Sequence, residues 1–390
     1  MWNFDEKINR ENSNSVKYDL RRQLYGEEDI IPMWVADMDF KTPDFIVDAI
    51  KERTEHEIYG YTLRANSFFT SVIHWMNYKH NWTIKKNWIS FSPGVVPALS
   101  ISIQAFTQPG DKIIVQPPVY FPFFSSVKNN GRQLVYNQLK YENANYFFDF
   151  DDLKKKIDSR TKMILISNPH NPVGRVWTKE ELIKLADICV SNDILMISDE
   201  IHSDLIFKPH KHIPIASLSD EIANNTISAF APSKTFNVAG LSSSAIIISN
   251  PKLKKTFDNY IDDLHIGFGN IFGNIALESA YLNGAEWLDA LMIYLKENVK
   301  LVKDFIDKPN IKIKMTMPQS TYLLWLDFSE YGYEKEELQN LLVKKAKIGL
   351  SPGELFGPGG ENFQRMNIAC PRNVLIEALN NLEEVFTENL

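Results

Sequence analysis

Short apolar runs alternate with amphipathic stretches through the middle of the chain, and this alternation limits the fold more than any other feature. The runs predicted to be strands are 112–116, 133–137, 163–167, 194–198, 226–230 and 245–249. Residues 179–190 repeat apolar side chains at helical spacing, and Thr178 with Glu181 forms a capping box at their start. Strands that alternate with helices predict an α/β fold, with a mostly parallel sheet covered by helices on both faces.

The pattern changes after residue 285. A long helical pattern covers 287–305, two candidate strands follow at 311–315 and 321–327, and further helical patterns cover 335–347 and 373–386. A chain of 390 residues is long enough for two domains. We therefore expect a smaller α+β domain to accompany the large parallel one.

Composition excludes several functional classes. The formal net charge of −7 argues against nucleic acid or an anionic membrane as the main partner. The start of the chain lacks a signal-peptide pattern, and no apolar run is long enough to cross a bilayer. The two cysteines, Cys189 and Cys370, lie in apolar stretches and are predicted to be buried thiols, with no paired Cys/His spacing for a metal. We expect a cytoplasmic protein.

Polar residues follow three of the predicted strands. Asn171 lies in the Pro-rich loop after 163–167, Asp199 ends the next strand, and Lys234 follows 226–230. Ligands of parallel sheets bind beyond the carboxyl ends of the strands, where these three loops gather. An amide, a carboxylate and an amine are the groups that hold pyridoxal phosphate, so the sequence predicts that cofactor.

Each of these residues has a predicted role. Lys234 forms the Schiff base and then acts as the base at Cα, and Asp199 pairs with the protonated pyridine nitrogen. The amide of Asn171 donates to the phenolate oxygen of the cofactor, and His202 reaches the same oxygen or lies behind it. Taken singly, the lysine is compatible with a solvated surface position and the aspartate with a cap, and only their combination favours the cofactor.

A phosphate needs a helix N-terminus, and residues 92–97 precede an apolar helix predicted over 98–106. The backbone amides of Val95 and Val96 are the predicted cradle, and Ser233 adds a hydroxyl. Tyr120 is predicted to stack on the pyridine ring and, with Lys234 and Asp199, to be a catalytic residue. Arg365 is predicted to clamp a substrate carboxylate.

Gly267, Gly269 and Gly273 resemble a dinucleotide-binding fingerprint, but their spacing is wrong and no strand precedes them. Tight turns and close helix packing are the better interpretation. A nicotinamide enzyme is therefore disfavoured.

The set Asn171, Asp199, Lys234 and Arg365 resembles the fold-type I pyridoxal-phosphate enzymes of aminotransferase class I/II, over nearly the whole chain. Finer motifs are similar to the MalY/PatB-type cystathionine β-lyases. They are residues 33–40 (MWVADMDF), 59–61 (YGY), 169–177 (PHNPVGRVW), 199–204 (DEIHSD) and 232–237 (PSKTFN). General aminotransferases of this fold usually carry a tyrosine at the position of His202, and an arginine at the position of Ser242.

The resemblance implies further features of the assembly. A tyrosine matching Tyr61 reaches the phosphate of the neighbouring subunit, which implies a homodimer with shared active sites. The segment with Trp34 and Asp37 folds onto the C-terminal domain at the mouth of the cleft, so Asp37 and Tyr61 are expected to contact substrate. The implied division is a large domain over 45–285 and a small domain over 1–44 and 286–390.

The predicted activity is that of a carbon–sulfur β-lyase, which cleaves cystathionine, cysteine or related S-conjugates to a thiol, pyruvate and ammonia. An aminotransferase is the alternative, because the same lysine serves both reactions. A cofactor-binding regulatory protein is a third alternative, although the chain shows no nucleic-acid-binding module or basic patch.

Overall fold

The computed structural model describes residues 2–388. The helices are α1 (Val16–Asp19), α2 (Arg21–Tyr25), α3 (Asp44–Thr54), α4 (Asn66–His80), α5 (Val95–Phe106), α6 (Pro122–Asn129), α7 (Phe150–Lys156), α8 (Lys179–Val190), α9 (Asp220–Asn224), α10 (Pro232–Thr235), α11 (Pro251–Asp263), α12 (Ile271–Asn283), α13 (Ala285–Ile306), α14 (Lys335–Asn340) and α15 (Arg372–Glu388). The strands are β1 (Ile31–Pro32), β2 (Ile89–Ser92), β3 (Lys112–Val115), β4 (Gln133–Tyr136), β5 (Lys140–Glu142), β6 (Asn145–Phe147), β7 (Thr161–Ser167), β8 (Leu195–Asp199), β9 (Thr226–Phe230), β10 (Ser244–Ile247), β11 (Lys314–Thr316), β12 (Leu323–Asp327), β13 (Ile348–Gly349), β14 (Ser351–Pro352) and β15 (Phe363–Asn367).

Seven strands form the central sheet, in the order β2-β10-β9-β8-β7-β3-β4. The pairs from β9 to β4 are parallel, whereas β10 runs antiparallel to both β9 and β2. All strands of this sheet except β10 therefore end at the same edge. The chain places β4 on one side of β3 and β7 on the other, so the switch point, where ligands bind in such sheets, lies between β3 and β7.

Both faces of the central sheet are buried, because successive side chains along a strand point to opposite faces. Ile164 of β7 belongs to the hydrophobic cluster that includes Leu182 of α8. Its neighbour Leu165 belongs to a second cluster, which includes Leu99 of α5. This arrangement confirms the predicted α/β fold with helices on both faces of the sheet.

A second, antiparallel sheet follows in the C-terminal part, in the order β11-β12-β15-β14. The N-terminal segment is joined to this part by the parallel pair β1 and β13, where Ile31 lies opposite Ile348. One hydrophobic cluster includes residues from all three segments, so the core does not separate the two expected domains. Phe4, Phe236 and Leu326 are among the members of this cluster. The predicted domain boundaries at 44/45 and 285/286 therefore stay a prediction.

All six strands predicted for the middle of the chain are present, as β3, β4 and β7 to β10. The sequence did not predict β2, because Ser90 and Ser92 interrupt its apolar pattern although every residue of the strand is buried. Their hydroxyls bond to Asp258 Oδ1 and to the carbonyl of Gly94, which satisfies the two polar groups inside the protein.

Several predicted boundaries were wrong. Helix α5 begins at Val95 rather than at residue 98, and strand β11 covers Lys314–Thr316 rather than 311–315. The strand predicted from residue 321 begins at Leu323, because Thr321 has a φ of 68°. The helix predicted over 335–347 ends as an α-helix at Asn340 and continues as a π-helical turn, Leu341–Lys345.

The glycines that imitate a dinucleotide fingerprint serve turns and packing, as predicted. Gly269 has a φ of 70°, and a Cβ atom on Gly273 would lie 2.1 Å from the carbonyl oxygen of Leu241. Cys189 and Cys370 are free and buried, which confirms their interpretation as core thiols. Within residues 2–388, no helix combines the length and apolar character needed to cross a bilayer.

Candidate active site

A cavity of about 170 Å³ opens at the carboxyl edge of the central sheet. It is lined by Ala36, Gly94, Val95, Val96, Pro97, Tyr120, Ser167, Asn171, Asp199, Ile201, His202, Ser233, Lys234 and Ala239. Eight of the residues predicted for cofactor binding lie in this lining: Val95, Val96, Tyr120, Asn171, Asp199, His202, Ser233 and Lys234. The fold therefore brings together side chains that are far apart in the sequence.

Lys234 lies in the one-turn helix α10, directly after β9. Pro232 begins this helix at a position where proline is well tolerated. The Nζ atom of Lys234 donates a hydrogen bond of 2.8 Å to the carbonyl oxygen of Ala36. Burial lowers the pKa of the amine to about 8, against the raising effect of the Asp37 charge. The neutral amine, which a nucleophile or a base requires, is therefore far more populated near neutral pH than it is for a lysine of ordinary pKa.

Asp199 is the last residue of β8 and lies in register with Ser167 of β7 and Ala229 of β9. Burial raises the pKa of its carboxyl to about 7, while the N–H of Ile201, at 3.1 Å from Oδ1, acts in the opposite direction. A buried carboxyl of this kind gains most from a cationic partner. A protonated pyridine nitrogen is such a partner.

Asn171 and Arg365 are joined by a hydrogen bond. Arg365 Nη1 donates to Asn171 Oδ1 at 3.2 Å, which leaves the amide N–H₂ of Asn171 as its available donor. Arg365 Nη2 donates to the carbonyl of Trp34 at 2.8 Å. In the described part of the chain, no carboxylate forms an ion pair with Arg365, and its Nε has no hydrogen-bond partner. Burial lowers the pKa of the guanidinium to about 10, so the group gains from an incoming anion.

Two aromatic side chains, Tyr120 and His202, line the cavity. The backbone N–H of Tyr120 donates to the carbonyl of Asn171 at 3.1 Å. Burial holds the pKa of His202 well below its usual value, and the charges of Lys234 and Arg365 lower it further. His202 is therefore a neutral imidazole, able to donate or accept one hydrogen bond in the cavity.

The N-terminus of α5 forms the polar end of the cavity. Gly94, Val95 and Val96 line it, and the first amides of a helix have no partner within the helix. The helix dipole adds partial positive charge at this end. Together with Ser233, also in the lining, these groups form a site suited to a phosphate.

Tyr61 and Asp37 do not line the cavity. The side chain of Tyr61 is 97% exposed, and its ring lies 5.6 Å from that of Phe268. Asp37 forms an ion pair with Arg10, with 2.6 Å between Nη2 and Oδ2. Its charge nevertheless acts on the pKa of Lys234. The predicted substrate contacts of both residues stay a prediction.

Sequence reasoning missed two groups that surround Lys234. The carbonyl oxygen of Ala36 accepts bonds from Lys234 Nζ and, at 3.0 Å, from the hydroxyl of Tyr322. A backbone carbonyl carries no signal in the sequence, and Tyr322 lies in a run whose apolar character indicated only a core strand. The motif at 33–40 was the one available signal for Ala36.

The donor set matches pyridoxal phosphate group by group. The helix N-terminus would hold a phosphate, the buried carboxyl of Asp199 would pair with a basic ring nitrogen, and the amide of Asn171 would donate to a phenolate oxygen. Lys234 supplies the amine that bonds to an aldehyde. Among residues 2–388, no cluster of His, Cys, Asp or Glu could hold a metal ion.

A mixed seven-stranded sheet with a lysine, a carboxylate and an amide at one edge defines the fold-type I class of pyridoxal-phosphate enzymes. The chain belongs to the aminotransferase class I and II family, whose model matches residues 28–382. Cystathionine β-lyase PatB of Bacillus subtilis (strain 168) is 44% identical over 382 residues, which cover 98% of this chain and 99% of that protein.

Two solved structures are similar over almost the whole chain. Cystalysin from Treponema denticola, which contains pyridoxal 5'-phosphate, has a TM-score of 0.97 and 36% identity, and the match covers 100% of both chains. The pyridoxal-phosphate-bound C–S lyase from Staphylococcus hominis has a TM-score of 0.93 and 34% identity, with coverage of 99% of this chain and 98% of the other.

Proposed function

We propose that the protein is a pyridoxal-phosphate-dependent carbon–sulfur β-lyase, which cleaves cystathionine, cysteine or related cysteine S-conjugates. The observation that carries this assignment is the cavity that holds a buried amine and a buried carboxyl. Arg365 lies outside its lining but bonds to Asn171, which is part of it, and has no carboxylate partner among residues 2–388. Relatives named as a cystathionine β-lyase and a C–S lyase, both similar over nearly the full length, support the reaction type.

Substrate binding depends on Arg365. Its guanidinium binds the α-carboxylate through two parallel N–H···O bonds. The carbonyl of Trp34 and the amide oxygen of Asn171 already hold the guanidinium in one orientation. Because this long side chain is already ordered, substrate binding loses little further conformational entropy there.

Proton transfer depends on Lys234. Pyridoxal phosphate, when bound, supplies an electron-withdrawing ring that stabilises negative charge at the substrate Cα. The neutral amine of Lys234 takes the Cα proton at Nζ, and the carbonyl of Ala36 holds that atom in place. Asp199 would keep a proton on the pyridine nitrogen, because a carboxyl buried in this cavity is stabilised as the carboxylate by a cationic partner.

Elimination completes the reaction. The electron pair of the broken Cα–H bond forms a bond between Cα and Cβ, and the Cβ–S bond breaks with its electron pair going to sulfur. The ammonium of Lys234 returns the proton to the departing thiolate, so the amine is neutral again. The released three-carbon fragment hydrolyses to pyruvate and ammonia.

An aminotransferase is the second candidate, because the family includes such enzymes and the first proton transfer is the same. In that reaction, Lys234 would deliver the same proton to a carbon of the cofactor, which would keep the amino group, and hydrolysis would release the carbon skeleton of the substrate as a keto acid. His202 favours the lyase, since the general aminotransferases usually carry a tyrosine there.

We also infer a homodimer with shared active sites. Ile58, Tyr61 and Leu63 lie in one segment and are 71%, 97% and 83% exposed, and the half-exposed ring of Phe268 lies beside Tyr61. Such a cluster of exposed apolar side chains is typical of a protein interface. In a homodimer, this segment is the part of the chain that supplies Tyr61 to the phosphate site of the neighbouring subunit.

The proposed setting is the cytoplasm, with amino acids as small-molecule substrates. Cys189 and Cys370 are buried and unpaired, which fits a reducing compartment. The net charge of −7 disfavours nucleic acid and anionic membranes as partners.

A product assay over a panel of amino acids tests the proposed activity. Purified protein loaded with pyridoxal phosphate should release thiol and pyruvate from cystathionine, cysteine and other S-conjugates, and should leave amino acids without a β-leaving group intact. Keto-acid formation from alanine or aspartate, without thiol release from any sulfur substrate, would instead assign the aminotransferase reaction.

A further inference from the structure

A buried polar network lies directly behind the catalytic residues. Trp75 Nε1 and His80 Nε2 each donate to Asp204 Oδ1 at 3.0 Å, and Thr235 Oγ1 donates to Oδ2 at 2.8 Å. Burial opposes ionisation of Asp204, but its bond to His80 and the other donors hold the pKa of the carboxyl below its usual value. Asp204 is therefore a buried carboxylate with both oxygens occupied.

A second buried pair lies beside the first. Glu200 Oε2 accepts a hydrogen bond from His212 Nε2 at 2.7 Å, and Oε1 accepts one from Ser228 Oγ at 3.0 Å. The rings of His80 and His212 meet edge to face, with their centroids 5.3 Å apart. The two pairs thus form one contiguous network among α4, α10 and the strands β8 and β9.

The attachment points of this network are the neighbours of the catalytic residues. Thr235 follows Lys234 in the chain, and Glu200 follows Asp199. Helix α10, which carries Lys234, has only one turn and is closed by the bond from the N–H of Phe236 to the carbonyl of Pro232. A single turn does not hold its own conformation in solution, so its direction must come from tertiary contacts.

Stability alone does not account for such a network. Buried ion pairs and hydrogen-bonded carboxylates are often replaced by apolar residues without loss of stability. A fixed hydrogen-bond geometry, by contrast, sets the orientation of the groups to which it is attached. The groups to which this network is attached are the neighbours of Lys234 and Asp199.

We propose that Asp204 is a positioning residue, which acts through Thr235 to fix the helix that carries Lys234, while the Glu200–His212 pair fixes the end of β8 that carries Asp199. This role rests on the proposed cofactor chemistry of Lys234. It is not catalytic, because Asp204 does not line the cavity.

Substitution of Thr235 tests the role with a small change. Thr235→Val removes the hydroxyl and keeps the shape, whereas Thr235→Ser keeps the hydroxyl. Thr226→Val is the matched control, since Thr226, in strand β9, is as fully buried as Thr235 and donates its hydroxyl to the carbonyl of Ile222. Each cofactor-free variant is mixed with pyridoxal phosphate, and the lysine–cofactor bond is followed by visible absorbance and by borohydride trapping with mass spectrometry.

Displacement of a reacting group by an ångström can lower a rate on the order of a hundredfold, so we expect Thr235→Val to slow bond formation by at least about tenfold. Thr235→Ser and Thr226→Val should stay within about threefold of the wild type, a difference that small rearrangements produce. With substrate, Thr235→Val should lower kcat and leave KM nearly unchanged. Equal rates for Thr235→Val and Thr226→Val would overturn the role.

Asp204→Asn gives an independent measurement, because it keeps the volume and removes one acceptor oxygen. We expect it to slow bond formation as Thr235→Val does, with no further loss in the double variant, since the two residues act as one unit. Additive losses would overturn the role. The bond-forming rate does not depend on lyase activity. A wild type that bonds the cofactor but cleaves no sulfur amino acid would contradict the proposed function and leave this test intact.

Discussion

At the scale of single residues, the site works because burial moves two pKa values toward neutrality from opposite directions. Burial lowers the pKa of Lys234 from 10.5 to about 8 and raises the pKa of Asp199 from 3.8 to about 7. Burial of a charged amine or carboxyl without a partner costs free energy. Such groups with shifted pKa values are found at functional sites, where their chemistry requires them. Neither shift could be predicted from the sequence, since burial depends on residues that are far away in the chain.

The pH dependence of cofactor bonding follows from the lysine. Only the neutral amine attacks the aldehyde, so the rate should rise with pH and reach half its maximum near pH 8, the pKa of Lys234. Asp37→Asn should move this midpoint to lower pH, because the Asp37 charge favours the ammonium form. The measurement is the rate of appearance of visible absorbance after cofactor-free protein is mixed with pyridoxal phosphate. A midpoint near 10.5, the ordinary lysine value, would contradict the burial argument.

At the scale of elements, the sequence predicted most of what places the site. Six strands of the central sheet were predicted, and α8 begins and ends as its capping box and apolar spacing indicate. Strands β8, β9 and β10 are buried on both faces, so their sequences are mainly apolar and easy to recognise, whereas β4 is only partly buried. Strand β2 escaped prediction, since its two serines are satisfied by tertiary bonds that no local pattern reveals. The π-helical turn that follows α14 was not predicted either, because the apolar spacing of 335–347 does not distinguish it from an α-helix.

Helix α5 supplies a prediction about the phosphate site. Val95→Pro removes one N–H from the first turn, and proline is tolerated there because the extended Gly94 before it fits the pre-proline position. A hydrogen bond to a charged group contributes roughly 1.5–3 kcal/mol, so the Kd for pyridoxal phosphate should rise about tenfold to a hundredfold. Val95→Ala, which keeps the N–H, is the matched control.

Equilibrium titration of cofactor-free protein, followed by fluorescence quenching, measures both Kd values. If Val95→Pro and Val95→Ala bind the cofactor equally well, the amide of Val95 does not contact the phosphate. Unfolding temperatures of the two cofactor-free variants should be similar, since the substituted position is the first residue of the helix.

At the scale of the whole molecule, the site depends on contacts that join the two ends of the chain. Trp34 and Ala36 supply carbonyls to Arg365 and Lys234, and β1 pairs with β13. The resemblance to known enzymes indicated that this N-terminal segment folds onto the C-terminal part. It did not indicate which atoms make contact, because backbone carbonyls are not specific to any residue type.

The proposed dimer makes a prediction that two inactive variants can test. Consider a mixed dimer of one Lys234→Ala subunit and one Tyr61→Ala subunit. If each site takes Tyr61 from the neighbouring subunit, one of the two sites contains both wild-type residues and the other contains neither. If the two variants mix randomly in equal amounts, about half of the dimers are mixed, and each mixed dimer has one intact site out of two. About one quarter of the wild-type activity should therefore return. The measurement is lyase activity after the variants are unfolded together and refolded.

If Tyr61 served the site of its own subunit, no mixed dimer would contain an intact site and no activity would return. Each variant refolded alone is the control for residual activity. Sedimentation of the mixture verifies that dimers have formed, so a failure to recover activity cannot be attributed to a lack of assembly.

The central claim is that Lys234 moves the proton that releases sulfur from the substrate. The most direct measurement is the product stoichiometry from cystathionine, for the wild type and for Lys234→Ala loaded with pyridoxal phosphate. The wild type should give thiol, pyruvate and ammonia in equal amounts, and Lys234→Ala should remain folded and give none of them. Keto acid without thiol from the wild type, or undiminished release by Lys234→Ala, would contradict this account.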